Sequence, residues 1–406
     1  MIYQPPAGAR DLLPLEVVQK AWINDRIQSL FRAFGYQRIV TSTLEWLDTL
    51  TAGGAIAPST VVQLRDNYDG VLGLRPELTA SIARAAVTRM ADESQHPQRL
   101  CYRANVFRTP AKKNHHGGQI EYYQAGVELL FASGLLADAE VILLFARSLQ
   151  NLGVSNWKLL LGEAGLTRSL LEIFPQETAQ KVRDCLASLD RISLAQLNLE
   201  PKLQERAELL FDLRGNPSDV LTKVATLDLE PEAKAIAENL KALIELVSQT
   251  SLIPIDITLD LGLVQTFDYY TGIVFEAVSF SNNQTYTLGQ GGRYDHLLKL
   301  YDPQGRESPG IGFSLSIEAL HSALLSTDQL PQQIPANDWL VIPASTTAYL
   351  AAIKHAQQLR QDQPNVSVEL NLGDRSEAEV KDYALSCRIS NLAWVREDGT
   401  VTVESL

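Results

Sequence analysis

Two runs, "LCYRANVFRT" from Leu100 and "IEYYQAGVELLF" from Ile120, stand on either side of the polar stretch "PAKKNHHGG". Both alternate and both carry aromatic and β-branched residues, the pattern of strands half-buried in a sheet. They are longer than the usual strand of about 5–6 residues. The pair predicts a long antiparallel hairpin with a flexible polar tip. A lone hairpin is marginal in water, so these runs commit the chain to a larger antiparallel sheet.

The flanking segments supply one. "LEVVQKAWINDRIQSLFRAFGY" places Val18, Trp22, Ile23, Ile27, Leu30, Phe31 and Phe34 at helical spacing and stops at Gly35. "YQRIVTSTLEWLDTL" alternates as a strand, and "GVLGLRPELTASIARAAVTRM" reads as strand, turn at Arg75-Pro76 and helix from about Thr79. A helix follows from Ala137 and a strand at "NWKLLLGEAG". Residues 167–250 keep a helical period interrupted at Pro175, Pro201 and Pro217, and are expected to form a helical insertion. Strand patterns return in "PIDITLDLGLVQTFDYYTGIVFEAVSF" and "QTYTLGQGGRYDHLLKLY", and "GIGFSLSIEALHSALL" runs from strand into helix. The expectation is an α+β domain over 1–325 whose sheet carries helices on one side, then a linker at 326–338. From 339 to 406 strands alternate with helices, which predicts a small α/β domain with a mostly parallel sheet.

The net charge is −13 and the isoelectric point near 5.0, which argues against general binding to nucleic acid. The three cysteines are scattered, no zinc pattern occurs, and no cofactor or metal is expected. No secretion signal or membrane-spanning run is visible, so a reduced cytoplasmic setting is the expectation.

Taken in order, the segments resemble a class II aminoacyl-tRNA synthetase, and specifically histidyl-tRNA synthetase. "PPAGARDLLP" resembles that family's N-terminal segment and "GYQRIVTSTLE" its dimer-forming motif 1. "LRPELTA" resembles its substrate-binding turn, and "VFRTP" with "GGQIEYYQAGVE" its motif 2. "TFDYYTGIVFEA" and "GQGGRYDHLL" resemble its histidine-pocket segments, and "PGIGFSLSIEAL" its motif 3. The last domain resembles a reduced anticodon-binding domain.

An amino-acid pocket needs carboxylates for cationic groups and aromatic walls for shape. Glu77, Thr79, Gln124, Glu128, Tyr269, Tyr270 and Tyr294 supply those types, and the resemblance places them around a histidine. The competing reading is that Glu77 and Glu128 pair with local arginines such as Arg75 or Arg103.

The resemblance also shows what is missing. Adenylation needs fixed cations at the phosphate oxygens, and class II enzymes use arginines for them. Motif 3 has Ala319 after Glu318 where the arginine belongs, and Ser316 where a glycine is expected. Gln265 replaces the arginine three residues before "DYY". In motif 2, Arg108 remains for a phosphate contact, but Pro110, Gly118 and Ile120 stand where an acid and two arginines belong. Lys112, Lys113, His115 and His116 read as a solvated loop rather than replacements. Losing one charge-stabilising donor costs roughly 3–4 kcal/mol in the transition state, so aminoacylation is not expected. The terminal domain, from 336, holds six Lys or Arg against ten Asp or Glu, a poor tRNA surface, with Glu377 and Glu379 where the synthetase favours basic residues.

A pocket kept while the chemistry is dropped matches the family of ATP phosphoribosyltransferase regulatory subunits, paralogues of histidyl-tRNA synthetase. That resemblance implies a self-associating dimer and a short-form catalytic partner in a hetero-octamer. It also implies histidine feedback on the first step of histidine biosynthesis. The alternatives are a divergent active synthetase and a synthetase-like module with another partner.

Overall fold

The computed structural model describes residues 3–54, 56–66, 70–90, 96–109, 118–263, 269–281, 284–373 and 375–406. The chain divides into two compact units, Met1–Pro331 and Gln332–Leu406.

The first unit starts with α1 (Pro14–Ala33), β1 (Gln37–Arg38), β2 (Leu44–Trp46), α2 (Leu47–Thr51), β3 (Val62–Arg65), β4 (Val71–Leu74) and α3 (Thr79–Arg89). The long hairpin is β5 (Gln98–Phe107) with β6 (Glu121–Leu130), followed by α4 (Leu135–Asn151) and β7 (Trp157–Glu163). Next come α5 (Ala164–Leu171), α6 (Gln176–Ser188), α7 (Arg191–Ala195), α8 (Pro201–Phe211), β8 (Arg214–Gly215), α9 (Pro217–Ala225) and α10 (Pro231–Thr250). The unit ends with β9 (Ile257–Asp260), β10 (Ile273–Ser281), β11 (Gln284–Arg293), β12 (Gly310–Ser316) and α11 (Ile317–Leu324).

The hairpin forms as the alternation predicts, antiparallel in register from Gln98 opposite Leu130 to Phe107 opposite Glu121. Its tip, 110–117, lies outside the described residues. Among the described residues the hairpin sits in a nine-stranded sheet of order β1-β5-β6-β12-β11-β10-β7-β9-β8. All its pairings are antiparallel except β1 with β5 and β7 with β9. The insertion is helical as expected, and Pro201 and Pro217 open helices rather than merely interrupting them. Proline suits that first position because its missing N–H would have no partner there.

Three expectations need correction. Helices do not keep to one side of the sheet. α1, α4 and α11 pack on one face through Ile27, Phe31, Phe145 and Leu320. α3 covers part of the other with Ile82, Ala83, Ala86 and Val87, against Leu100, Tyr102 and Val106. The run after Gly35 is not one strand. It breaks into β1 and β2, then turns helical where Leu47 and Leu50, three apart, meet the small core of Ile56 and Val61. The inner face of α1 is also less apolar than its spacing implies. Gln19, Lys20 and Asn24 are buried with Ile23, Ile27 and Phe31. Gln19 bonds Pro331 O at 2.9 Å and His321 Nε2 at 2.8 Å, and Lys20 meets Glu318 at 3.3 Å.

The end of β11 is pinned by an ion pair. Arg293 donates from Nε to Asp138 Oδ1 at 2.8 Å and from Nη1 to Asp295 Oδ1 at 2.9 Å. The side chains of Arg293 and Asp138 are only 8% and 5% exposed, so each depends on the other for its missing solvation.

The second unit comprises β13 (Trp339–Pro343), α12 (Tyr349–Asp362), β14 (Val368–Leu370), α13 (Glu377–Cys387), β15 (Asn391–Val395) and β16 (Val401–Ser405). Its sheet order is β14-β13-β15-β16, parallel except for the β15–β16 pair. α13 packs on Leu340, Ile342 and Leu392, and α12 on Val341, Ala393 and Val395. Glu379 has a structural task, closing a capping box with Ser376 at the start of α13. Glu377 pairs with Lys381 at 3.0 Å.

Removing one member of the buried pair tests the pin on β11. Arg293→Met leaves Asp138 buried without a cation and is expected to cost ~3–5 kcal/mol in urea unfolding. The double variant Arg293→Met/Asp138→Leu is expected to recover most of that loss.

Candidate functional site

The site is built where β6, β12, β11 and the start of α3 converge. Along β6, Gln124 and Glu128 share a face because strand side chains alternate. Glu128 lies opposite Gly312 of β12. A Cβ at that glycine would come within 1.9 Å of Glu128 Oε2, so the carboxylate lies flat on bare backbone. Thr79, the first residue of α3, donates to Glu128 Oε1 at 2.8 Å. The hydroxyl of Tyr294, just beyond β11, donates to Oε2. Glu77 accepts the N–H groups of Thr79 at 2.5 Å and Ala80 at 2.9 Å, which satisfies the open helix end and suits its charge.

Tyr269 and Tyr270 stand side by side, ring centroids 4.8 Å apart, and Tyr269 meets the edge of Tyr294 at 5.9 Å. Arg108 donates from Nε to Pro76 O at 2.9 Å and lies over the Tyr122 ring. Glu77, Thr79, Arg108, Gln124, Tyr269, Tyr270 and Tyr294 all line one cavity of about 20 Å³, and Glu128 is bonded into its wall. The structure thus gathers every predicted pocket residue, but they fill most of the space themselves. What remains is room for about one water molecule.

Reasoning from sequence missed Tyr102, Gln290 and Ser314, which line the same cavity. Register was the available signal for two of them: Tyr102 and Ser314 both lie opposite Gly126, between Gln124 and Glu128.

Neither carboxylate pairs with Arg75 or Arg103. Arg75 donates to the carbonyls of Asn105, Thr41 and Ser42, and Arg103 approaches Asp25 at 3.9 Å. Burial is the main influence on Glu128 and pushes its pKa up to about 8, with nearby Glu77 adding to it against the pull of Tyr294 and Thr79. Burial also raises Glu77, opposed by the backbone N–H groups and by Arg108. Two carboxyl groups at one small buried space favour a cationic guest.

The adenylation positions are otherwise employed. Ala319 packs half-buried against the main core, and its N–H donates to the side chain of Ser316, which caps α11. Glu318 accepts from Tyr123 N at 3.0 Å and from Lys20. Ile120 N bonds Gly8 O at 2.9 Å, tying this end of the hairpin to the N-terminal segment. Gln265, Asp268, Pro110, Lys112, Lys113, His115 and His116 lie outside the described residues. Among the described residues no cluster of His, Cys, Asp or Glu has the makings of a metal site.

A carboxyl whose pKa is raised by folding holds its proton more tightly when folded. Its contribution to stability is therefore full at low pH and is lost as pH rises from about 4.5 to about 8. Glu128→Gln removes this loss, on the order of 5 kcal/mol over the whole window. Melting curves are expected to show the variant gaining on the parent protein steadily across that pH window. A constant difference would contradict the buried, raised carboxyl.

The family model for histidyl-tRNA synthetase matches residues 8–320. An ATP phosphoribosyltransferase regulatory subunit of Gloeothece citriformis is 61% identical, covering 100% of both chains. Its counterpart in Rippkaea orientalis is 58% identical over 100% of this chain and 99% of that one. Among solved structures, an ATP phosphoribosyltransferase regulatory subunit/histidyl-tRNA synthetase from Bacillus halodurans superposes with a TM-score of 0.80. It is 28% identical and covers 98% of this chain and 99% of that one. A histidyl-tRNA synthetase from Nostoc sp. has a TM-score of 0.77 at 20% identity, covering 99% and 97%, and shares the fold. The chain belongs to the histidyl-tRNA synthetase family and, within it, to the ATP phosphoribosyltransferase regulatory subunits.

Proposed function

We propose that this chain is the non-catalytic regulatory subunit of ATP phosphoribosyltransferase, acting on a separate short-form catalytic subunit in the first step of histidine biosynthesis. The observation that carries the reading is Ala319: where a synthetase needs a fixed cation, a small uncharged side chain packs half-buried against the main core. The buried Glu77–Glu128 cluster persists, a binding surface without the means to activate a carboxylate.

Histidine is the ligand we assign to that cluster, its imidazole or ammonium group turned toward Glu128. The assignment makes the chain a sensor, since a ligand shifts an assembly only by binding one state better than another. Gln265, where the resemblance expects an arginine, offers no charge to a ligand carboxylate, which suits reversible feedback rather than tight retention.

We further propose that the chain forms dimers within a hetero-octamer. Support comes from the small sheet of order β2-β4-β3, whose outer face presents Leu44, Trp46, Val62, Leu64, Leu72 and Leu74. Leu44, Trp46 and Leu64 are 45%, 55% and 43% exposed, an apolar surface of the kind that association covers. A cytoplasmic setting without nucleic-acid binding completes the proposal. Among the described residues no helix is long and apolar enough to cross a membrane, and the net charge is −13.

Reconstitution decides between the readings. Added to the purified short-form catalytic subunit, the chain is expected to raise phosphoribosyl-ATP formation and to make it histidine-sensitive. It is expected to show no histidine-dependent ATP–pyrophosphate exchange. Exchange at synthetase-like rates would sink the proposal, and failure to activate would point to another partner. Trp46→Asp is expected to weaken self-association about tenfold or more in sedimentation, because it buries a charge in the apolar face.

A further inference from the structure

Two cavities meet at one side chain. Tyr270 lines the cavity of about 20 Å³ beside Thr79 and Tyr294. It also lines a cleft of about 570 Å³ between α5, α6, Leu263 and Val274. Among the described residues it is the side chain common to both. The cleft has a buried apolar floor of Leu171, Phe174 and Val274 and an exposed rim that includes Gln180.

An inner cavity sized for one water admits no amino acid until a side chain leaves. Four of its wall residues are held by hydrogen bonds. Thr79 and Tyr294 are bonded to Glu128, Glu77 to the start of α3, and Arg108 to Pro76 O. The Tyr270 ring lies against Gly292, where a Cβ would come within 2.6 Å of it, and beside the Tyr269 ring at 4.8 Å between centroids. It is the wall with empty space behind it and an apolar surface ready to receive an aromatic ring.

We infer that the pocket opens by rotation of Tyr270 into the α5–α6 cleft, which joins the two cavities into one chamber large enough for a cation-bearing amino acid. The inference rests on the reading of the Glu128 cluster as an amino-acid site. The ring then sits on Leu171 and Phe174, so occupied and empty states differ at the helical insertion as well as at the pocket.

The test uses the full chain labelled with 3-fluorotyrosine, the Tyr270 resonance being assigned by its absence in Tyr270→Phe, with L-histidine as probe. Tyr270 is expected to give a second resonance that grows as histidine is added. Ala179→Phe, which fills the cleft from α6, is expected to suppress it and to weaken histidine binding about tenfold. In a Tyr270→Ala background the same Ala179→Phe change is expected to leave affinity unaltered. Gln180→Trp, at the rim, replaces Ala179→Phe if that variant does not fold. A single Tyr270 resonance at all histidine concentrations, or an equal effect of the cleft variant in both backgrounds, overturns the inference. Two resonances sensitive to the cleft variant without histidine binding would uphold the rotation and instead overturn the amino-acid reading.

Discussion

The contact between Glu128 and the bare backbone of Gly312 sets the geometry around it. A carboxylate that deep in the sheet needs donors on both oxygens, because an unpaired polar group there costs more than a hydrogen bond returns. Thr79 and Tyr294 are those donors, and each is placed by a different part of the fold. Thr79 is held because Glu77 ties down the first N–H groups of α3. Tyr294 is held because Arg293, one residue earlier, is locked to Asp138 at the start of α4. Helix, strand end and sheet are thereby joined through one side chain that carries no apolar surface to the core.

The same site explains how a synthetase fold can serve without chemistry. Binding an amino acid needs carboxylates and shape. Activating it needs fixed cations at phosphate oxygens, and these are separate residues. On the proposed reading the first set is intact and the second has been reassigned. Ala319 packs against the core, Ser316 caps a helix, and Ile120 joins the N-terminal segment to the hairpin. Glu318, left beside the lost arginine, now links Lys20 of α1 to the backbone of β6.

Much of this was legible beforehand, and the reason differs by element. The β5–β6 hairpin, α3, α4 and the insertion helices follow local period and caps, which neighbours only reinforce. The pocket residues were legible through ordered motifs, each weak alone. Tyr102 and Ser314 were missed because membership of a pocket depends on cross-strand register, which motifs do not state. The polar inner face of α1 was missed for a related reason: Gln19, Lys20 and Asn24 look like a solvated stripe until α11 brings His321 and Glu318 against them. The single strand expected after Gly35 failed because alternation there competed with the helical spacing of Leu47 and Leu50.

By itself the sequence determined which segments are helix or strand, that two carboxylates and a set of tyrosines accompany them, and that uncharged residues stand where the resemblance expects arginines. Those are properties of residue type and near-neighbour spacing. Only the tertiary structure decided that Glu77 and Glu128 lack the local arginine partners, because Arg75 spends its donors on backbone carbonyls 30 and more residues away. It also decided that the pocket is largely filled by its own side chains, with Tyr270 lining both it and a larger cleft. Cavity size is the difference between what many distant segments enclose and what their side chains occupy, and no local pattern records that difference.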